Sequence, residues 1–558
     1  MRHSPRPLRH ALNRRQVLAT SVATGASLPS LAQRPAQHAI DIEVKVQEVL
    51  HAANPLLVGS NTPWVYGSEG LMDHDGQWRE GPANRAKELA PAVLRYPGVP
   101  DTYHWKQGIG PAAQRKPVFA YPGQPLQKIF YGTIEFLEAC EHVGAQPLIE
   151  LNMHQGSDAE LAQQAAEWVR FTNQQTHLSR LSGKPLPKVL YWELGNEPYV
   201  MERNHPLYLK TEHFARRVNA VLAAIKAVDP SIKVGLPFAL DTYSGKPWRP
   251  NSEIATVVGE HLGWGRKMLD GIDRPQDLSF LAVHWYMPLI TGATNAEGYP
   301  VALGSDEQLY WGAAAGSETL RRVPGLINDL WRQHPKTAKL PLPRIGVTEY
   351  NSYFTSTRIK GKEIRQNGYV MTQGGALFVA DLLRMMAHEP QMELGAHWSL
   401  NGNWIFGAFD VLTQANPPPV RPAFHALKMF RRLLAGGHIV GSHVKVEATA
   451  KATGISFSAP WSNMPLASAV AARQGKTVQV VVINKDPARA GVIKLSLPGV
   501  QVQSVQVEQV QAKALFDSPG LPEASTLVRP EVQVDAKRGT VQWLMGPASY
   551  GLATLTLA

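Results

Sequence analysis

The run VLYWELGNEP, Val189–Pro198, opens on β-branched and aromatic residues and closes on an amide, an acid and a proline. Val, Tyr and Trp suit a pleated strand, and the glycine and proline end it. In a parallel barrel the mid-strand side chains fill the core, while the C-terminal ends of the strands and the loops beyond them form the site. The stretch therefore predicts one barrel strand with Glu193 inside it and Asn196 and Glu197 at its exit.

Seven further runs share this plan: LLVGSN (Leu56–Asn61), AVLRYPG (Ala92–Gly98), PLIELNM (Pro147–Met153), KVGLPF (Lys233–Phe238), FLAVHWY (Phe280–Tyr286), RIGVTEYN (Arg344–Asn351) and ELGAHWSL (Glu393–Leu400). Long stretches with helical periodicity separate them, and eight is the number that closes a (β/α)₈ TIM barrel. Between the second and third runs, Leu126, Ile129, Phe130, Ile134, Leu137 and Cys140 are expected on one helical face, which makes the single cysteine a core residue. After the third, Ser157 and Glu160 have capping-box spacing ahead of Leu161, Ala165 and Trp168.

From about Gly436 the character changes. Alternating runs such as VKVEATA, VQVVVINKDP, VIKLSLPG, VQVEQVQ and GLATLTLA come at short intervals with turns between them, predicting a C-terminal antiparallel β-sandwich. The early run Asp41–Leu50 alternates in the same way and is expected to join that sheet. The chain thus divides into an N-terminal segment (1–32), a segment with a strand for the sandwich (33–57), a (β/α)₈ barrel (58–430) and the sandwich (431–558).

Composition fits a large globular chain: 558 residues, 44% hydrophobic, with a formal charge of +11. Of the six arginines that precede the first acid, Asp41, five (Arg2, Arg6, Arg9, Arg14, Arg15) fall in the first 15 residues, and +11 less these five leaves +6. The segment NRRQVLATSVATGASLPSLAQ combines paired arginines, a weakly apolar stretch and a small-x-small step at Ser30–Ala32. It reads as a twin-arginine signal, giving a periplasmic or secreted protein, and its apolar part is too short for a membrane anchor. One cysteine excludes an intramolecular disulfide. No phosphate-binding glycine loop and no long basic run is present, which argues against nucleotide cofactors and nucleic acid. Asp73–Asp75 and Asn152–His154 lack a metal-ligand constellation. No metal and no cofactor is expected, and oligomeric state is not encoded in these features.

Glu349, at the exit of the seventh run, lies 152 residues beyond Glu197. Two carboxylates facing one cavity are what retaining glycoside hydrolysis requires, with carboxyl groups about 5–5.5 Å apart. Glu193, deeper in its strand, is expected to be a buried acid paired with a basic or amide neighbour. Arg95 at the second exit suits holding a carboxylate bidentately. In VHWY, His284 and Tyr286 alternate with Trp285, so if the first two face the cavity Trp285 faces the helices, which assigns His284 and Tyr286 to the site. Asn61 and Trp64 after the first run, Asn152 at the third exit, Tyr353 past the seventh, and His397 and Trp398 at the eighth complete the candidate substrate-binding set. The substrate expected is an oligo- or polysaccharide.

Several ordered motifs carry a resemblance. LRYPGVPDTYHWKQGIGP, GAQPLIELNM, YWELGNEPY, VHWY, VTEYN and ALKMFRRLLAGG resemble the α-L-arabinofuranosidases of glycoside hydrolase clan A from about Gly59 to the end. The resemblance implies a barrel with a jelly-roll-like sandwich, Glu197 as acid/base beside Asn196, and Glu349 as nucleophile. Two departures stand out. The family's Glu past the first strand is absent from GSNTPWVYG, and TEYN has Tyr350 where the family usually has Trp. Both concern the glycone subsite. They leave two alternatives: a β-glycosidase on polysaccharides containing uronic acids, which the positive charge would suit, and a non-catalytic polysaccharide-binding protein.

Overall fold

The computed structural model describes residues 36–558 except 74, 121–124, 202–204, 241–262, 288–305, 353–357, 360–361, 364–367, 403–405, 412–414, 453–460, 513–514 and 516–524. The export segment and Tyr353 fall outside the described residues. The first described element is β1 (Gln37–Ala52), and all eight predicted runs then become the strands of one closed parallel barrel. They are β2 (Gly59–Asn61), β3 (Val93–Tyr96), β4 (Gln146–Glu150), β5 (Tyr191–Glu193), β6 (Lys233–Pro237), β7 (Phe280–Met287), β8 (Arg344–Ser352) and β9 (Met392–His397). Each pairs with its chain neighbour, and Ala396 opposite Gly59 closes the ring of β9 on β2.

Strand alternation sorts the barrel interior into layers. Val93, Leu148, Tyr191, Phe280 and Leu394 form an apolar plug. One inward step further along, the same strands carry Arg95, Glu150 and Glu193, each with no exposed side-chain surface, so an apolar floor supports a charged layer. Phe280 fills this floor only because its neighbour is Gly235, where an added Cβ would lie 2.2 Å from the ring.

The helix over the second crossover is shorter than the periodicity predicts. Leu126–Gln127 pairs instead with Val118–Phe119, leaving Leu126 54% exposed, and the helix runs Thr133–Val143. Gly132 breaks the pattern, and Glu135 accepts the Gly132 N–H at 2.9 Å to start the helix. Hydrophobic spacing also missed that this helix buries two acids, Glu135 on Arg115 (2.9 Å) and Glu138 on Arg180 (2.7 Å). Cys140 is buried in the core. The Ser157–Glu160 capping box forms, with Ser157 N–H donating to Glu160 Oε2 at 2.8 Å.

The C-terminal strands are β10 (His438–Lys445), β11 (Ala467–Gln474), β12 (Thr477–Asn484), β13 (Ala490–Ser496), β14 (Val502–Ala512), β15 (Ser525–Val528), β16 (Val532–Asp535), β17 (Thr540–Met545) and β18 (Ser549–Leu557). With β1 they form one sheet in the order β15-β14-β18-β12-β11-β10-β1-β13-β17-β16. The two layers of the expected sandwich are the halves of this sheet, curled round a shared core. Ile40 and Val44 of β1 sit in that core with Val480, Ile493, Val541 and Leu555. β1 runs antiparallel to β10 and parallel to β13.

Barrel and sheet are pinned together at Asp381 on the helix Gln373–His388. Its carboxylate accepts from Arg384 (2.6 Å), Lys485 (2.7 Å) and Ser468 (2.8 Å), and also from Ser317. Burial alone would raise the Asp381 pKa, but Arg384 and Lys485 hold it well below the ordinary carboxylate range. A depressed folded pKa contributes stability at pH above the unfolded value, lost as pH falls through the folded one. Asp381→Asn leaves Lys485 buried without its counter-charge and is expected to cost about 3–5 kcal/mol at pH 7. Melting curves check this: the gap to the parent should be wide at pH 7 and narrow progressively below about pH 4. An equal gap at both ends would refute the charge-based account.

Candidate active site

One guanidinium organises the C-terminal end of the barrel. Arg95 donates from Nε to Glu193 Oε2 (2.7 Å), from Nη1 to Glu349 Oε1 (2.8 Å) and to Asn61 Oδ1 (3.0 Å), and from Nη2 to Asn196 Oδ1 (2.9 Å). Glu150 Oε1 lies 2.8 Å from Nη2. Glu193 is held further by the Thr348 hydroxyl at 3.1 Å, so it is the expected buried, paired acid.

The two exit acids have different surroundings. Glu349 is 6% exposed and receives the Tyr286 hydroxyl on its other oxygen at 2.6 Å. Glu197 is partly open, with 30% of its side-chain surface exposed, and accepts from His284 Nδ1 at 2.7 Å. Its backbone has φ 42°, beside Gly195 at φ 92°. A left-handed non-glycine residue costs roughly 1–2 kcal/mol, and such conformations cluster where function fixes a side chain. Burial alone would lower the His284 pKa, but the carboxylates of Glu349 and Glu197 outweigh it and raise it. His284 Nε2 lies 3.4 Å from Arg95 Nη2, so the neutral tautomer with its proton on Nδ1 satisfies both contacts.

One ligand-type atom from each of Glu197, His284 and Glu349 falls within 4.8 Å of the others. A cation could fit that spacing, but His284 Nδ1 carries the proton it donates to Glu197 and has no free electron pair for a metal. The constellation suits proton transfer and nucleophilic attack better than metal ligation. The Arg95 guanidinium is not free for an acidic sugar, because it already faces three carboxyl groups.

The other predicted residues divide. Tyr286 and Trp398 pack with Phe406 and Val370 beside the acids, and Trp285 turns outward, its N–H bonding Gly316 O at 3.1 Å. Asn61 is buried with its amide on the carbonyls of Thr348 (3.1 Å) and Ala396 (3.2 Å), so it braces β2, β8 and β9. Trp64 is wholly buried, its N–H on Val99 O at 3.3 Å and its ring against Tyr103. Asn152 shapes its own loop, accepting the N–H groups of His154 (2.9 Å) and Gln155 (3.1 Å). His397 is buried, with its pKa pushed down to about 4 by burial and Nδ1 facing Ser399 O at 3.0 Å.

Sequence reading overlooked Glu150 and the pair Asp101–His154, whose Oδ1 and Nε2 are 3.4 Å apart. Asp101 is pushed up in pKa by burial, against the pull of His154, and the charge of Glu197 adds to the rise. A signal for Glu150 was present: Leu148 and Glu150 repeat the two-residue spacing of Tyr191 and Glu193, with which they pair in register.

The α-L-arabinofuranosidase 1 domain model matches residues 85–257. Alpha-L-arabinofuranosidase C of Emericella nidulans is 34% identical over 245 residues, 41% of this chain and 45% of that one. The match therefore spans less than half of that relative. An intracellular exo-α-L-arabinofuranosidase of Bacteroides ovatus is 23% identical over 497 residues and 86% of each chain. Among solved structures, the α-L-arabinofuranosidase of Thermotoga maritima in complex with arabinose superposes with a TM-score of 0.72 at 20% identity, covering 93% of this chain and 100% of that one. The chain resembles the α-L-arabinofuranosidases. In this arabinofuranosidase-like chain the domain model's match includes Arg95, Glu150, Glu193 and Glu197, and the likeness in fold extends over 93% of the chain.

Proposed function

We propose that the chain is a retaining glycoside hydrolase of clan A, exported from the cytoplasm and acting on α-L-arabinofuranosides of polysaccharides. One observation carries the reaction type: an oxygen of Glu197 and one of Glu349 lie within 4.8 Å of each other, which fits the close pairing of carboxyl groups used in double displacement.

In the first step Glu349 attacks the anomeric carbon and Glu197 gives its proton to the departing oxygen. In the second, Glu197 takes a proton from water, which attacks the same carbon and releases Glu349. Arg95 and Tyr286 each donate to one oxygen of Glu349 and fix its attack direction. The Nδ1–H of His284 steadies Glu197 once its proton has gone. Asn196 has its oxygen on Arg95, so its NH₂ group is what it can offer a sugar hydroxyl beside the reacting carbon. Tyr286 and Trp398 offer apolar ring surface.

The names of the relatives support the arabinofuranoside. The engaged Arg95 disfavours the uronide reading, and the paired acids in unlike settings disfavour a purely binding role. The test is kcat/KM on aryl α-L-arabinofuranoside, β-D-xyloside and β-D-glucuronide, with the arabinofuranoside expected to lead by at least about tenfold. A leading glucuronide would overturn the sugar assignment. The N-terminal segment supports export, and fractionation of cells making the full chain tests it.

A further inference from the structure

The charged layer contains more acid than one cation can balance. Arg95 faces Glu150, Glu193 and Glu349 at 2.8, 2.7 and 2.8 Å, and the three side chains are at most 8% exposed. Two net negative charges in so enclosed a space are costly, and such clusters relieve the cost by retaining a proton. Hydrogen-bond donors decide where it resides. Glu193 receives Arg95 Nε and Nη2 and the Thr348 hydroxyl, and Glu349 receives Arg95 Nη1 and the Tyr286 hydroxyl. Among the described residues, Glu150 receives only the Gly98 N–H, at 2.5 Å on Oε2. Its Oε1, although 2.8 Å from Arg95 Nη2, makes no hydrogen bond. It is the least solvated anion of the three.

We infer that Glu150 is a positioning residue that works as a neutral acid: it walls in Arg95 beside β4 without drawing its charge away from Glu349. The inference rests on the glycosidase reading for its kinetic consequence, and not for the proton itself. The groups facing Glu150 are Arg95 on β3, Glu193 on β5, Glu349 on β8 and, across Arg95, His284 on β7. Burial, with the charges of Glu193 and Glu349 and against that of Arg95, pushes its pKa up to about 8, in agreement with the count of donors.

Two variants test this in the full chain. Glu150→Gln keeps shape and neutrality, so kcat and KM should stay within about threefold of the parent. Glu150→Ala frees Arg95 to shift and should lower kcat by up to about 10²-fold with little change in KM, as small misplacements of catalytic groups do. Stability gives an independent reading. A folded pKa raised above the unfolded value makes the parent lose stability as pH climbs between the two. The melting temperature of Glu150→Gln relative to the parent should therefore rise steadily from pH 5 to pH 8. A flat difference, or a Gln variant as impaired as the Ala variant, would show that Glu150 acts as an anion and overturn the inference. An Ala variant with full kcat would overturn the positioning role. Absence of glycosidase activity in the parent would instead sink the functional reading and leave the pH test standing.

Discussion

Replacing Glu349 by alanine is expected to reduce kcat by on the order of 10⁴-fold or more while leaving the fold intact. The size follows from the proposed role, in which a Glu349 oxygen bonds to carbon, a step for which binding and electrostatics cannot substitute. Survival of the fold stems from the charge count. Removing one partner of a buried ion pair is ordinarily destabilising because a charge is left alone. Here the Arg95 guanidinium keeps Glu193 at 2.7 Å and Glu150 at 2.8 Å, and the variant loses an acid from a cluster that has too many. Azide should enter the vacated space and restore turnover, giving a glycosyl azide inverted relative to the substrate. Near-normal activity without azide would remove Glu349 from the mechanism.

The barrel was legible because its signal is repeated eight times and each run ends on the residues a barrel strand should end on. The charged layer was legible only in part. Arg95, Glu193 and Glu349 were found from their positions on the strands, and alternation set His284 and Tyr286 on the face opposite Trp285, which the structure turns outward onto Gly316. Glu150 has the same parity and the same depth as Glu193, yet its run closes on the exit residue Asn152, which drew the reading outward. Asn61 and Trp64 show the opposite difficulty. β2 is only three residues long, so the course of the chain beyond its exit is set by a turn, and the turn buries the Trp64 ring against Tyr103. The early start assigned to the Thr133–Val143 helix has a similar cause: apolar spacing continued through Gly132, whereas the helix is set by Glu135 capping it.

Glu197 should show itself by which substrates its loss spares. The acid matters in proportion to how badly the departing oxygen needs a proton. Glu197→Ala is therefore expected to lose about 10²- to 10⁴-fold in kcat/KM on substrates with alkyl or sugar leaving groups. On dinitrophenyl glycosides, whose leaving group departs without a proton, the first step should be almost unimpaired. The second step still lacks its base, so on those substrates the glycosyl-enzyme should accumulate and give a burst followed by slow turnover. Azide should relieve that slow phase and yield a glycosyl azide of retained configuration, the reverse of the outcome at Glu349, because here it attacks the intermediate rather than the substrate. The alkaline fall in kcat/KM should vanish on the activated substrates, since the proton whose loss it reports has no remaining role there. Equal losses on good and poor leaving groups would exclude Glu197 as the acid. The next proton donor in reach is then His284, whose Nδ1 lies 3.5 Å from Glu349 Oε2 and whose pKa those carboxylates raise despite its burial.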